Sequence, residues 1–186
     1  MAQPAADGRT RILVAMAALA FAVVACALAA EWLRNEATEA VPDRFAPRSF
    51  AVIEGDGFLA IPGRGKSPMI VNVWATWCGP CRREMQSLER LHHILEGSDV
   101  QIVGISVDTD RNLAREFVRR ERLTFPNAID ERSQLSSEVV KYPTTFVISA
   151  DGRVLARTET ARDWSDTVTI AWLESMLGRR IRGADA

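Results

Sequence analysis

Met69-Ile70-Val71-Asn72-Val73-Trp74-Ala75-Thr76-Trp77-Cys78-Gly79-Pro80-Cys81 decides the fold: a nearly continuous apolar run of strand length ends in two cysteines three positions apart. Such a run fits a central strand covered on both faces. Directly after it, Pro80 to Glu96 reads as a helix, because Cys81, Met85, Leu88, His92 and Leu95 recur at spacings of four and three, with Leu91 widening the stripe. Pro80 suits a first helical turn, where its missing N–H would lack an intrahelical partner anyway. The two cysteines therefore bracket a strand-to-helix turn and can close a small disulfide ring. Cys78 precedes the helix, where free N–H groups and the positive end of the macrodipole favour a thiolate. Cys81 opens the apolar stripe and faces the protein. Cys78 is thus expected to be the attacking sulfur and Cys81 the resolving one. Trp77, beside the nucleophile, is expected to shape a docking surface.

The same strand and helix patterns continue outward from this turn. Val100 to Val107 reads as a second buried strand, and Asp110 can cap a helix with Leu113, Phe117 and Val118 on one face and Arg115, Arg119 and Arg122 on the other. Ser49 to Glu54 and Gly57 to Ile61 flank Gly55-Asp56 as an opening hairpin. Phe146 to Ile148 and Arg153 to Arg157 flank an Ala150-Asp151-Gly152 turn. Ser165 to Leu177 reads as a closing helix, capped by Asp163 or Ser165 and stopped by Gly178. The plan is α/β, a mixed sheet between helical layers.

Composition narrows the function. The chain has 186 residues, 47% hydrophobic and 25% charged, enough for one ordinary domain with a remainder. Three cysteines make no disulfide framework, and 23 basic against 24 acidic residues leave no footprint for nucleic acid. A metal at Cys78 and Cys81 would need further ligands. His92 and His93 are the only histidines, and eleven helical residues put His92 roughly 16 Å from Cys81 along the axis. Neither a metal nor a cofactor is therefore expected. A Cu(I) chaperone, holding copper on the two thiols, is the alternative from a different class.

The first thirty residues are unlike the rest. Arg9 and Arg11 precede Ile12 to Ala30, an uncharged run that as a helix would reach about 28 Å against a hydrocarbon core of roughly 30 Å. The arginines on one side and Glu31, Glu36 and Glu39 on the other put the amino end in the cytoplasm and export the remainder. Three readings stay open: a retained anchor, a signal cleaved after Ala27-Leu28-Ala29, or lipidation of Cys26. Each delivers the body to a compartment where disulfides persist. The expected organisation is 1–30 as cytoplasmic tip and anchor or signal, 31–48 as a linker marked by Pro42 and Pro47, and 49–186 as the folded domain.

Val71 to Leu91, with V-N-V-W-A-T-W-C-G-P-C-R-R-E-M, resembles the thioredoxin superfamily, and within it the membrane-anchored TlpA/ResA-like thiol-disulfide oxidoreductases of bacteria. The likeness extends to Ile105-Ser106-Val107-Asp108, to Phe125-Pro126 with Asp130, and to Tyr142-Pro143-Thr144-Thr145-Phe146-Val147-Ile148. It implies a thioredoxin-like fold, a cis peptide bond before Pro143, and a substrate surface of Trp77, Gly79, Pro80, Tyr142, Pro143 and Thr144. It also implies a single-pass protein of the cytoplasmic membrane with its catalytic domain outside, a membrane electron donor of the CcdA or DsbD kind, and substrates such as apocytochrome c or copper-site assembly proteins of oxidases. The reducing direction is expected, with a disulfide-forming oxidase or isomerase as the alternative. Two positions depart from the pattern: Asn72 stands where ordinary thioredoxins carry a buried, ionisable Asp, and Gln86 where many members have a helix-kinking Pro. Glu84, one turn beyond Cys81, has two readings, proton transfer with Cys81 or a solvated glutamate favoured by the helix dipole.

Overall fold

The structure is a computed structural model, and it describes residues 16, 18, 20, 22–24, 44–63 and 67–181. The chain divides into two units, residues 1–40 and 41–186. In the first, the described residues are helical, and Met16, Val23 and Val24 are exposed. The rest of the apolar run, Cys26 and the linker up to residue 43 lie outside the described residues. No helix among the described residues is long and apolar enough to cross a membrane.

The second unit contains β1 (Arg48–Val52), β2 (Phe58–Ile61), β3 (Met69–Trp74), α1 (Gly79–Ile94), β4 (Gln101–Ser106), α2 (Arg111–Arg120), β5 (Asn127–Ile129), β6 (Thr144–Ile148), β7 (Val154–Thr158) and α3 (Thr167–Leu177). The strands form one mixed sheet in the order β2-β1-β5-β4-β3-β6-β7. β3, β4 and β5 run parallel, and β1, β2, β6 and β7 add antiparallel edges. All six residues of β3 are buried. The reason is visible in the two cores that its alternating side chains enter. Ile70 and Trp74 join α1, α2 and α3 through Met85, Leu88, Phe117, Ile170 and Leu173. Met69, Val71 and Val73 join Phe45, Phe50, Leu135, Val139 and Phe146 on the other face. Among the described residues the three helices therefore share one face of the sheet and do not sandwich it as the sequence plan expects; Phe45, Leu135 and Val139, from segments outside the helices, cover the second face. Covering both faces is what makes the sequence of β3 read as an unbroken apolar run.

Two glycines show why backbone space matters here. Gly104 lies on β4 beside Asn72 and Asn127, and a Cβ on it would stand 2.9 Å from the Trp74 indole nitrogen. Its bareness lets that indole donate to Asn127 Oδ1 at 3.2 Å. Gly178 ends α3 in the left-handed region at φ 64°, which an L side chain disfavours.

The structure corrects several local expectations. α3 is capped by Asp166, whose carboxylate accepts from Thr169 N–H at 2.6 Å, while Asp163 closes a separate turn onto Ser165 N–H. α2 begins after Asp110 as expected, yet Leu113 is exposed and Ala114 takes its place in the core. β5 has no periodic signal of its own because only three residues pair. Phe45, within the stretch read as linker, is buried against Phe146 and donates its N–H to Gly152 O at 3.0 Å. α1 runs through Gln86 unbroken, and the Gln86 amide donates to Glu121 O at 2.8 Å.

Candidate active site

β3 delivers the chain to the edge of the core, and Trp74 and Ala75 are still fully buried. The turn that follows is held by a carboxylate. Asp108, 5% exposed, accepts from Thr76 N–H at 3.0 Å, Thr76 Oγ1 at 2.7 Å and Ser106 Oγ at 2.7 Å. Cys78 N–H then donates to Ala75 O at 3.1 Å, which starts the helical turn. Cys78 is the N-cap of α1, and its sulfur accepts from Cys81 N–H at 3.2 Å. A group that accepts an orphan helix N–H is favoured when it carries negative charge. Cys78 and Cys81 are joined as a disulfide, with Cα atoms 5.3 Å apart. Cys81 is fully buried, and Trp77 stands out from the surface.

The Tyr142–Pro143 bond is cis. Val73 pairs with Thr144, so Pro143 enters β6 at the end of the sheet where the dithiol turn leaves β3. Pro143 and Thr144 are buried, and Thr144 Oγ1 donates to Lys141 O at 2.7 Å. The Tyr142 and Trp77 rings meet edge to face at 5.5 Å, which joins the two loops at the surface. Burial, with a smaller push from Asp130, raises the Tyr142 hydroxyl above its ordinary pKa.

Glu84 is not solvated. It is 2% exposed, and both oxygens face the interior. Asn72 Nδ2 donates to Oε1 at 2.8 Å; Trp164 Nε1 and Arg162 N–H donate to Oε2 at 3.0 and 3.2 Å. Burial raises the Glu84 carboxyl above the usual carboxylate value, and the donors from Trp164, Asn72 and Arg162 offset part of that rise. Asn72 thus holds a buried carboxyl supplied by the helix in place of one on the strand. Its second donor bond goes to Thr145 Oγ1 at 2.9 Å, and Asn72 Oδ1 has no hydrogen-bond partner among the described residues.

This arrangement gives a pH prediction. The unfolded chain ionises Glu84 near its ordinary value, whereas the folded chain keeps the proton to a higher pH. Between those two values the folded state binds more protons, so stability falls as pH rises through the window. Glu84→Gln is expected to flatten that fall in denaturant titrations between about pH 4 and pH 8. An unchanged slope in the variant would remove Glu84 as its source.

Several residues of this site carried no sequence signal. Trp164 and Arg162 sit about 80 positions from Glu84, in a loop without periodicity. Ser87 is another: its hydroxyl accepts from Trp164 N–H at 3.0 Å and donates to Glu84 O at 2.6 Å. Asp108 lay within a quoted motif, but nothing in the motif revealed that it grips Thr76. His92 is half-buried at the core edge and His93 exposed, as the helix periodicity predicts.

A vicinal dithiol at the amino end of a helix, on a mixed sheet beside a cis-proline, defines a protein of the thioredoxin-like class. The sequence pattern of the AhpC/TSA family matches residues 59–157, and the chain belongs to that family. Within it, the chain is similar to the thiol-disulfide oxidoreductase ResA of Geobacillus thermodenitrificans, 36% identical over 104 residues that cover 55% of this chain and 59% of that protein. It is also similar to sporulation thiol-disulfide oxidoreductase A of Bacillus subtilis, 27% identical over 125 residues, 64% of this chain and 73% of that one. The chain spans less than two thirds of the length of the ResA proteins it matches, 59% and 53% for two Geobacillus relatives. Among solved structures, a DsbE-type thiol:disulfide interchange protein from Chlorobium tepidum superposes with a TM-score of 0.65 at 22% identity, covering 73% of this chain and 96% of that one. StoA from Bacillus subtilis gives 0.58 at 22%, covering 66% and 93%. These structural likenesses establish the fold.

Proposed function

We propose that the protein is an exported thiol-disulfide oxidoreductase that reduces disulfides in extracytoplasmic proteins. The observation that carries this reading is the division between the sulfurs: Cys78 caps α1 and accepts its free N–H, while Cys81 is enclosed by the core. In the reduced protein the Cys78 thiolate attacks a substrate disulfide, forming a mixed disulfide and releasing one substrate thiolate. Cys81 loses its proton and displaces the second substrate sulfur, closing the Cys78–Cys81 bond. Two electrons and two protons pass to the substrate, which leaves as a dithiol. Glu84, one turn beyond Cys81, is the proposed acceptor of the Cys81 proton, since its raised pKa matches it to a thiol better than an ordinary carboxylate.

Trp77, Gly79, Pro80, Tyr142, Pro143 and Thr144 form the proposed substrate surface, with the backbone around Tyr142 open to an extended strand. Residues 1–30 act as a single-pass anchor in the bacterial cytoplasmic membrane, 31–48 as the tether, and 49–186 as the periplasmic or extracytoplasmic catalytic domain. Electrons then come from a membrane thiol-transfer protein of the CcdA or DsbD kind. The substrates are exported dithiol proteins such as apocytochrome c or copper-site assembly proteins.

The reduction potential of the Cys78–Cys81 couple tests the direction. A value near roughly −270 mV, like thioredoxin, is the expected result. A value near about −120 mV, that of a strong periplasmic oxidant, would overturn it in favour of disulfide formation.

A further inference from the structure

The helix that carries the dithiol breaks a general rule of helix ends. Negative charge is favoured at the amino terminus, yet α1 has no acidic residue in its first turn, and its fourth and fifth residues are Arg82 and Arg83. Both side chains are exposed, and neither has a hydrogen-bond or ion-pair partner among the described residues. Many other arginines of this unit are engaged, among them Arg48 with Glu138, Arg119 with Glu54 and Arg157 with Glu159. The exposed Arg122 and Arg132, like Arg82 and Arg83, have no side-chain partner among the described residues, but they do not stand at the head of the dithiol helix. A sequence that violates a local preference without internal compensation points to a requirement outside the fold.

The two arginines directly follow the dithiol in sequence and line two separate grooves. Arg83 turns back over the redox loop, its Nη1 3.7 Å from where a Cβ on Gly79 would stand. It lines a groove of about 300 Å³ with Arg90 and Arg162. The acids there are already used: Asp163 lies 3.4 Å from Arg90, and Glu84 is held by interior donors. Arg82 lines a second groove with Thr76, Leu113, Phe117 and Arg120, where Glu116 is the one acidic lining residue. This positive collar belongs to a chain that from Glu31 onward, collar included, carries 21 basic and 23 acidic residues, so the excess of basic charge is local.

We propose that the collar selects the partner of the dithiol, a protein disulfide whose cysteine is flanked by aspartate or glutamate. The inference rests on the exchange activity proposed above and names the substrate class it prefers. A partner sulfur seated at Cys78 brings its neighbouring carboxylates against Arg82 and Arg83, the residues that directly follow the dithiol on α1. Opposite charge raises the rate of encounter and fixes the approach, and its effect falls with ionic strength. Occupation also relieves the interaction of two unpaired cations with the helix dipole. The chemistry is unchanged: the dithiol is oxidised to the Cys78–Cys81 disulfide and the acidic partner leaves with two thiols.

The test uses the full-length protein, pre-reduced, and three disulfide-linked peptide dimers identical except that the residues flanking cysteine are Glu, Gln or Lys. Each rate is divided by that of the same peptide with dithiothreitol, which removes intrinsic differences in the disulfides. The Glu peptide is expected to exceed the Lys peptide by roughly tenfold at low salt, with the gap closing near 1 M salt, where screening acts within about 3 Å. Arg82→Gln with Arg83→Gln should bring the ratio toward one, and Arg82→Glu with Arg83→Glu should invert it, which itself shows that the variant is folded. Equal rates for the three peptides, or an order that survives charge reversal, overturn the inference alone. Absence of exchange with all three peptides overturns the oxidoreductase reading and the inference with it.

Discussion

Cys81→Ser is expected to accumulate a covalent adduct through Cys78, while Cys78→Ser accumulates none and both variants lose turnover completely. The asymmetry follows from position. Cys78 sits at the helix N-cap, where its sulfur accepts the Cys81 N–H, so in the reduced protein the helix end stabilises its thiolate. Cys81 is fully buried beside Met85 and Leu88 and starts no attack on an incoming disulfide. Once the mixed disulfide exists on Cys78, only a thiol three residues away can resolve it, and serine cannot. The serine side chain is close to cysteine in shape, so both variants should keep the fold. The measurement is alkylation under non-reducing conditions after expression with the physiological partners, followed by mass spectrometry of the adduct. Equal trapping by both variants, or trapping by Cys78→Ser alone, would reverse the assigned roles. If neither variant trapped a partner, while the unsubstituted dithiol bound Cu(I) tightly and each serine variant lost it, the exchange reading would give way to a copper chaperone.

The parts of the fold that were legible in sequence are those where one face of an element meets one kind of environment. β3 and β4 are buried on both sides, so their apolar runs are unbroken. α1 packs one side on the sheet, so its stripe of Cys81, Met85, Leu88 and Leu91 recurs at helical spacing. The dithiol was legible because its chemistry depends on a spacing within one turn of one helix. The cis bond before Pro143 came from resemblance, since proline alone favours trans in most contexts. The surroundings of Glu84 were not legible for a different reason. Its partners arrive from β3, from the 162–164 loop and from the helix itself, and such a buried polar cluster obeys tertiary geometry and no period. A glutamate on a helix near its amino end has the same local sequence whether it faces water or the core. What decides is Trp164, brought to α1 by a loop whose sequence shows no pattern.

Trp164 is therefore expected to be the most damaging single position outside the dithiol. Its ring is fully buried in the core between α1 and α3, its N–H reaches Ser87 Oγ and its indole donates to Glu84 at 3.0 Å. Trp164→Ala removes a large side chain that the neighbouring helices cannot replace, at a cost of about 3–5 kcal/mol. For a domain of this size that lowers the melting temperature by roughly 10 °C or more. The variant also leaves Glu84 Oε2 with Arg162 N–H as its one remaining donor among the described residues. Trp164→Phe separates the two effects, because it keeps most of the apolar volume and deletes only the indole donor. Its expected loss is smaller, about 1–3 kcal/mol, and grows with pH, since the ionised carboxylate needs the donor more than the neutral acid does. Loss of that donor also leaves burial less opposed, so the Glu84 carboxyl should hold its proton to still higher pH. Urea titrations of the two variants across the same pH range provide the check. A Trp164→Phe loss that is independent of pH would mean that the indole acts as packing alone, and that Glu84 is held by Asn72 and Arg162 without it.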